Sequence, residues 1–306
     1  MVIAPFYLSE NNREPYVTVT EVLNSATAAS IDFTDLIPNT GINAQTSALE
    51  ELIIRASVKA DNYVYGQFGT LCATVNTENG RYRANRLGEF VIQPWFAPIL
   101  EVRSFNVGSM PGDGMTPITL TKNNVFIERT QFIVSPTSGL NTTAGPLSLI
   151  GGQYAGGQEQ FCEWTYVNGF ANAFSTLPSS AGDTTIQVTT ATGIYAGSTL
   201  RIWDGSKDEV ITVASTYDGT SLILPLTSPL QWAHTAGVNV SAIPATIKQA
   251  VIHFIVAMVK ERGQGGLVIN EVGEPLNAGN RTLTNEYDES MAYDLLDEYR
   301  QIWGRA

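Results

Sequence analysis

The sequence predicts an α+β chain: a small helical bundle, an antiparallel β region and an inserted small β-sandwich or barrel-like subdomain. Three observations predict it. Apolar residues recur at helical spacing toward both ends of the 306 residues. Between those ends the period drops to two. Within that β-rich middle, residues 175–243 hold five short strand-like runs at roughly ten-residue spacing with Gly or Asp turns between them. The expected division is 1–174 for the helix and sheet of a core, 175–243 for an inserted all-β subdomain, and 244–306 for helices that return to complete the core.

Each element has its own warrant. In "TVTEVLNSA", Thr18 and Glu21 have capping-box spacing and predict a short helix. "SALEELIIRASVKADNYVYG" (47–66) predicts the clearest helix. Ser47 and Glu50 repeat the capping-box spacing, and Leu49, Leu52, Ile53, Ala56, Ala60, Tyr63 and Val64 fall on one face. Gly66 supplies the stop. "LCATVNTENGRYRANRLGEFVIQPW" reads as three strands with turns at Asn79-Gly80 and Leu87-Gly88. "PILEVRSFNVG", "NVFIERTQFIVSP" and "QFCEWTYVNGF" continue the alternation, and the Gly/Ser/Thr/Asn-rich stretch 137–158 reads as a long loop.

The insert consists of "TTIQVTT", "STLRIWDG", "DEVITVAS", "TSLILPL" and "GVNVSAI". "PATIKQAVIHFIVAMVKERG" then predicts a helix with Pro244 in its first turn, apolar nearly all round and so buried on most sides. "GQGGLVINEVGEPLNAGNR" reads as a flexible link. "NEYDESMAYDLLDEYRQIWG" (285–304) predicts a last amphipathic helix, with an acidic start and Arg300 and Arg305 at its end.

Composition narrows the function. Charged residues are only 15%, and the net charge is −12. Tight binding of free nucleic acid needs clustered Lys and Arg, so it is not expected. "MVIAPFYLSENN" does not read as a signal peptide, and the longest apolar run, "AVIHFIVAMV", is too short to span a membrane. Cys72 and Cys162 read as buried free thiols.

Catalytic signatures are not found. "GQGG" follows a helix where a phosphate loop would precede one, no GK[ST] occurs, and no GxSxG elbow is present. The only two histidines, His234 and His253, do not make a His-rich metal site. His234 reads as bonded to local backbone and His253 as a core or interface residue. The carboxylates of "WDGSKDE" place Gly at the wrong position for a calcium loop, and Lys207 intrudes. Trp203, Asp204, Asp208 and Glu209 are therefore expected to be exposed surface around an Asp204-Gly205 hairpin turn. The expectation is a chain with no enzyme activity and no cofactor.

Three pieces of the chain resemble the head–tail connector (adaptor or head-completion) proteins of tailed bacteriophages. The first is "ALEELIIRASVKADNYVYGQFG". The second is "FAPILEVRSFNVG" followed by "EQFCEWTYVNGF". The third is "IPATIKQAVIHFIVAMVKERG" with "LLDEYRQIWG". The block 175–243 departs from the minimal family plan.

The resemblance implies a homo-oligomeric ring, commonly of about twelve subunits, in the neck of a virion, assembled in the host cytoplasm. The portal protein would lie above it and a stopper or tail terminator below, with DNA passing through without tight binding. It further implies Tyr293, Tyr299, Ile302 and Trp303 as portal or partner contacts, and Phe254 and Met258 as ring-subunit contacts. Removal of 285–306 is expected to abolish joining while the rest stays folded. A −12 subunit repeated around a channel gives a wall that repels phosphate. Two other functions fit the same sequence. One is another virion structural protein, such as a minor capsid, tail-tube or decoration protein. The other is a glycan- or host-surface-binding module using Trp203, Trp232 and Tyr217 of the insert.

Overall fold

A computed structural model describes residues 14–29, 31–33, 36–37, 41–66, 69–85, 88–108, 115–135, 159–205, 207–261 and 278–300, with side chains from 287 onward in the last segment. The stretch 137–158, most of the link after Gly263, and Arg305, Ile302 and Trp303 lie outside the described residues. The class is α+β, with helices and antiparallel sheets. The chain divides at points other than those expected: Ala73–Phe170 belong to one compact unit, and Tyr7–Cys72 with Ala171–Ala306 to the other.

The sheet unit is a two-layered β structure. β1 (Thr74–Arg83), β7 (Glu159–Asn168), β3 (Ile99–Gly108) and β4 (Thr116–Pro117) form one sheet in the order β1-β7-β3-β4. β2 (Phe90–Ile92), β6 (Phe132–Val134) and β5 (Val125–Ile127) form the second, in the order β2-β6-β5. Alternation sends Phe105, Trp164 and Tyr166 inward from the first sheet, and Phe90, Ile92, Phe132 and Val134 inward from the second. Ring centroids 5.8 Å (Phe90–Phe105), 6.3 Å (Phe105–Phe132) and 6.4 Å (Phe132–Trp164) apart mark the shared aromatic core.

The expected turn at Asn79-Gly80 does not form. β1 runs unbroken through both residues, paired with β7 from Thr74 to Arg83. Gly80 serves as a gap. A Cβ there would lie 2.9 Å from Cε2 of Tyr82, whose ring packs edge-on against Trp164 at 5.5 Å. At the second expected turn, whose Leu87 lies outside the described residues, Asn85 N–H donates to the Glu89 carbonyl and Gly88 takes φ +79°.

In the second unit, α1 (Val19–Leu23) starts on the expected capping box. Glu21 N donates to Thr18 Oγ1 at 3.2 Å, and Thr18 N to Glu21 Oε2 at 2.7 Å. α2 spans Ile42–Tyr65 and begins five residues earlier than Ser47. Its first turn places Ile42 in solvent, 81% exposed, and buries the polar Gln45, so apolar periodicity does not reveal it. Gln45 instead fixes the start by bonding both the N–H and the carbonyl of Ile37 (2.9 and 2.8 Å). The expected face is correct: Leu49, Leu52, Ile53, Ala56, Ala60 and Val64 are buried and Tyr63 half-buried.

The expected helix forms as α3 (Ala245–Glu261), beginning one residue after Pro244, whose carbonyl accepts Ile247 N and Lys248 N, and it packs against both α2 and α4 (Ala278–Leu296). α4 starts before Asn285 and ends at Leu296, where a single 3₁₀ turn, Asp297–Tyr299, follows.

All five expected insert strands form: β9 (Thr185–Gln187), β10 (Thr199–Trp203), β11 (Glu209–Thr212), β12 (Ile223–Pro225) and β13 (Asn239–Ser241). A sixth, β8 (Asn172–Phe174), begins before residue 175 and pairs with β13. Ladders run β11-β10-β13-β8 and β12-β9. Two single bridges, Ser175 with Val188 and Val213 with Leu226, join β8 to β9 and β11 to β12. The result is a closed six-stranded antiparallel barrel, which leaves no unpaired edge strand. Its interior is filled by side chains such as Ala173, Ile186, Leu200, Ile202, Ile211 and Val240.

The outer side of β8 and β13 is polar yet buried, and it explains why barrel and helices form one unit. Lys248 of α3 donates from Nζ to Glu21 Oε1 (2.6 Å) and Asn239 Oδ1 (2.8 Å). Asn239 Nδ2 donates to Asn172 Oδ1 at 2.8 Å, and Asn172 Nδ2 to the Pro15 carbonyl at 3.0 Å. Burial pushes the Lys248 ammonium down from its ordinary value, and the Glu21 carboxylate works against that. Lys248→Ala is expected to cost the helix–barrel unit about 3–5 kcal/mol by stranding Glu21. The double change Lys248→Met with Glu21→Gln is expected to cost much less, and equilibrium denaturation of the full chain reads the difference.

Candidate functional site

The strand connections put one set of ionisable residues at one end of the barrel. The 176–184, 204–208 and 227–238 connections all emerge there. Gly205, at φ +64°, allows the tight return from β10 to β11. Asp208 is exposed on this turn, as expected, and is gripped by Arg201 (Nε to Oδ1 2.7 Å, Nη2 to Oδ2 2.5 Å). That pairing holds the Asp208 carboxyl below its ordinary value. Trp203 and Asp204 are half-buried.

Glu209 is not exposed surface: only 7% of it is accessible. As the first residue of β11 it turns under the 227–238 loop. It accepts Gln231 N (2.9 Å) and Trp232 N (3.3 Å) and pairs with His234 Nε2 at 2.6 Å. His234 is thus bonded to a carboxylate by its side chain, where local backbone was expected. Alternation in "DEVITVAS" makes Glu209 look like one more turn charge; only the folded loop reveals its partners. The aromatic trio of a glycan platform is not assembled: Trp232 is exposed at this end, whereas Tyr217 is buried in the connection at the other end, its hydroxyl donating to the Ser221 carbonyl at 2.6 Å.

The second set lies along α4. Tyr293 is half-buried, its ring 5.2 Å from Phe254 and 4.5 Å from Tyr63, and its hydroxyl donates to Glu289 at 2.8 Å. Lys59 Nζ sits 4.9 Å over the Phe254 ring and bonds Glu289 at 2.6 Å. Tyr299 pairs its hydroxyl with Thr246 Oγ1 at 2.8 Å.

Phe254 is fully enclosed by its own chain and so offers no surface to a neighbouring subunit, while Met258 is half-buried. The physical reason is that α3 satisfies its all-round apolar surface against α2 and α4. Ala292 and Leu296 are fully buried, so deletion from residue 285 removes core side chains and is expected to destabilise the remaining helices as well. His253 joins the same helix pair, with Nδ1 3.1 Å from Asp288 Oδ1 and Nε2 3.3 Å from the Gln249 amide nitrogen.

Thiol chemistry has no activated nucleophile here. Both cysteines are free. Burial pushes the Cys162 thiol up to about 12 and Cys72 higher still, the reverse of what a reactive thiolate requires. Among the described residues no group of three or more His, Cys, Asp or Glu side chains is arranged to hold a metal ion, and no helix is long and apolar enough to cross a membrane.

In the sheet unit, Glu78 of β1 holds the strap that follows β2. It accepts Trp95 N (3.1 and 3.2 Å) and the Tyr166 hydroxyl, while Phe96 N donates to that hydroxyl at 3.2 Å. No sequence signal marked Glu78, because a single Glu in an alternating strand reads as solvent-facing.

No protein-family model, no curated protein and no solved structure matches the chain.

Burial raises the Glu78 carboxyl to about 7, against the opposing bonds from Tyr166 and Trp95. The neutral form therefore contributes stability that is complete below the ordinary value of 4.5 and is lost as pH rises through about 7. Amide exchange in β1 and β7 is expected to show the sheet unit losing on the order of 2–3 kcal/mol between about pH 5 and about pH 8, and Glu78→Gln is expected to flatten that fall.

Proposed function

We propose that this chain is a structural neck protein of a tailed-phage virion. In this reading it is a ring-forming adaptor between the portal vertex and the tail-side components, with a channel for DNA. The observation that carries the proposal is the convergence of the helices that resemble the connector family. Residues 42–65 and 245–296 are separated by both β regions in sequence, yet α2, α3 and α4 pack as one bundle. Lys59 with Glu289, and Tyr63 and Phe254 with Tyr293, are its cross-links.

Two further features support the same reading. Glu50 on α2, Asp294 on α4, and Asp297 and Glu298 of the 3₁₀ turn after it are exposed acidic residues, in keeping with the net charge of −12, which disfavours nucleic-acid phosphate. The ionisable groups at the barrel end and along α4 are engaged in pairs that hold loops and helices together, as a scaffold requires.

With the aromatic face of Tyr293 and Phe254 turned inward, the candidate partner anchors narrow to the segment after Arg300, which contains Ile302 and Trp303. Light-scattering mass of the purified chain is expected to be a ring-sized multiple of 33.1 kDa. Truncation after Arg300 is expected to leave the circular-dichroism spectrum and melting unchanged while abolishing capture by portal rings. A strict monomer that never binds portal would sink the proposal.

A further inference from the structure

His234 is fully enclosed, and both of its ring nitrogens face carboxylates. Nε2 lies 2.6 Å from Glu209 Oε1. Glu209 already receives two backbone N–H groups and acts as an acceptor, so the proton of this bond sits on Nε2. Nδ1 is buried and has no hydrogen-bond partner. The nearest charged group to it is Asp204, with Oδ2 at 3.7 Å. Ser179, whose backbone pairs with that of His234 through bonds of 3.0 and 2.9 Å, has a buried hydroxyl that is also unpartnered.

A lone pair on Nδ1 would face a carboxylate with no donor between them. An N–H⁺ in its place faces that carboxylate with opposite charge, at a distance where attraction survives even strong screening.

The charged groups around the ring come from three elements. β11 contributes Glu209. The β10–β11 turn contributes Asp204 and Lys207, whose Nζ is drawn onto the Ala233 carbonyl at 2.9 Å. Asp208 is neutralised by Arg201, and Asp183 of the 176–184 connection is engaged with Ser180 N at 2.7 Å. Two carboxylates thus stand against one half-buried lysine. Asp204 also accepts Thr235 N at 3.3 Å, so the same two carboxylates hold the 227–238 loop by its backbone. That loop carries Trp232, which is 48% exposed.

We propose that His234 is a proton-operated latch: doubly protonated, it ties the 227–238 loop to the β10–β11 turn through Glu209 and Asp204, and loss of one proton loosens the loop that displays Trp232. Nothing in this depends on the neck reading.

The test uses the full chain. Imidazole ¹⁵N shifts report which nitrogens carry protons. Amide exchange of Gln231, Trp232, His234 and Thr235, corrected for intrinsic rates, reports the loop from about pH 5 to about pH 9. Protection is expected to fall about tenfold as His234 loses its second proton. Asp204→Asn, a substitution at a partly exposed turn, is expected to remove most of that pH dependence, and His234→Gln all of it. A ring with one protonated nitrogen throughout, or an Asp204→Asn profile identical to that of the parent chain, would overturn the latch.

Discussion

The helix–barrel unit depends on one buried ammonium. A charge taken out of water must be paired and hydrogen-bonded, or it costs several kcal/mol. Lys248 meets that condition with Glu21 from α1 and Asn239 from β13. Asn239 in turn holds Asn172 of β8, and Ser241 Oγ donates to Asn239 Oδ1 at 2.7 Å. Glu21 does two jobs, since its other oxygen closes the capping box of α1. One ammonium thereby fixes the short first helix, the buried third helix and two barrel strands against one another. Apolar packing alone tolerates sliding and rotation; a buried ion with directed partners does not.

With that face of the barrel committed, the adjoining end, where the 227–238 loop emerges, carries the polar connections. The closed barrel needs only short strands, because each ladder is completed by neighbours on both sides, including the single bridges Ser175–Val188 and Val213–Leu226. Long connections then have to be held down by side chains. Glu209, Asp204 and Lys207 do this by accepting from or donating to the backbone of the 227–238 loop. The sheet unit uses the same device with different chemistry. Glu78 and Tyr166 bond the backbone of the strap at Trp95 and Phe96, where no strand partner is present. In both places a buried or half-buried carboxylate replaces a missing β-ladder.

The neck-protein reading gains a sharper geometry from this arrangement. The helices that resemble the connector family converge and consume their own aromatic surface, Phe254 against Tyr293 and Tyr293 against Tyr63. Partner contacts on that side must therefore come from groups other than the bundle core. The barrel presents a different kind of surface, a loop held down by Glu209 and Asp204 that displays an exposed Trp232.

Much of the fold was legible because it follows from periodicity and caps, which are local. The Thr18–Glu21 box, the buried face Leu49–Val64, the five insert strands and the all-round burial of α3 needed only spacing and residue type. Local signals misled where a residue had a distant tertiary task. Asn79-Gly80 has turn chemistry, but the ring of Tyr82 lies over Gly80 and β7 pairs straight through. Ser47 and Glu50 have capping spacing, but Gln45 reaches Ile37 and starts the helix earlier. Glu209 looked like surface charge until the 227–238 loop folded across it. The sequence by itself determined element type, core faces and the acidic balance, because these depend on composition and on neighbours a few positions away. Only the tertiary structure decided barrel closure, the Lys248 node and the His234–Glu209–Asp204 cluster, because each depends on the burial of a polar group, and burial is set by residues far away in the chain.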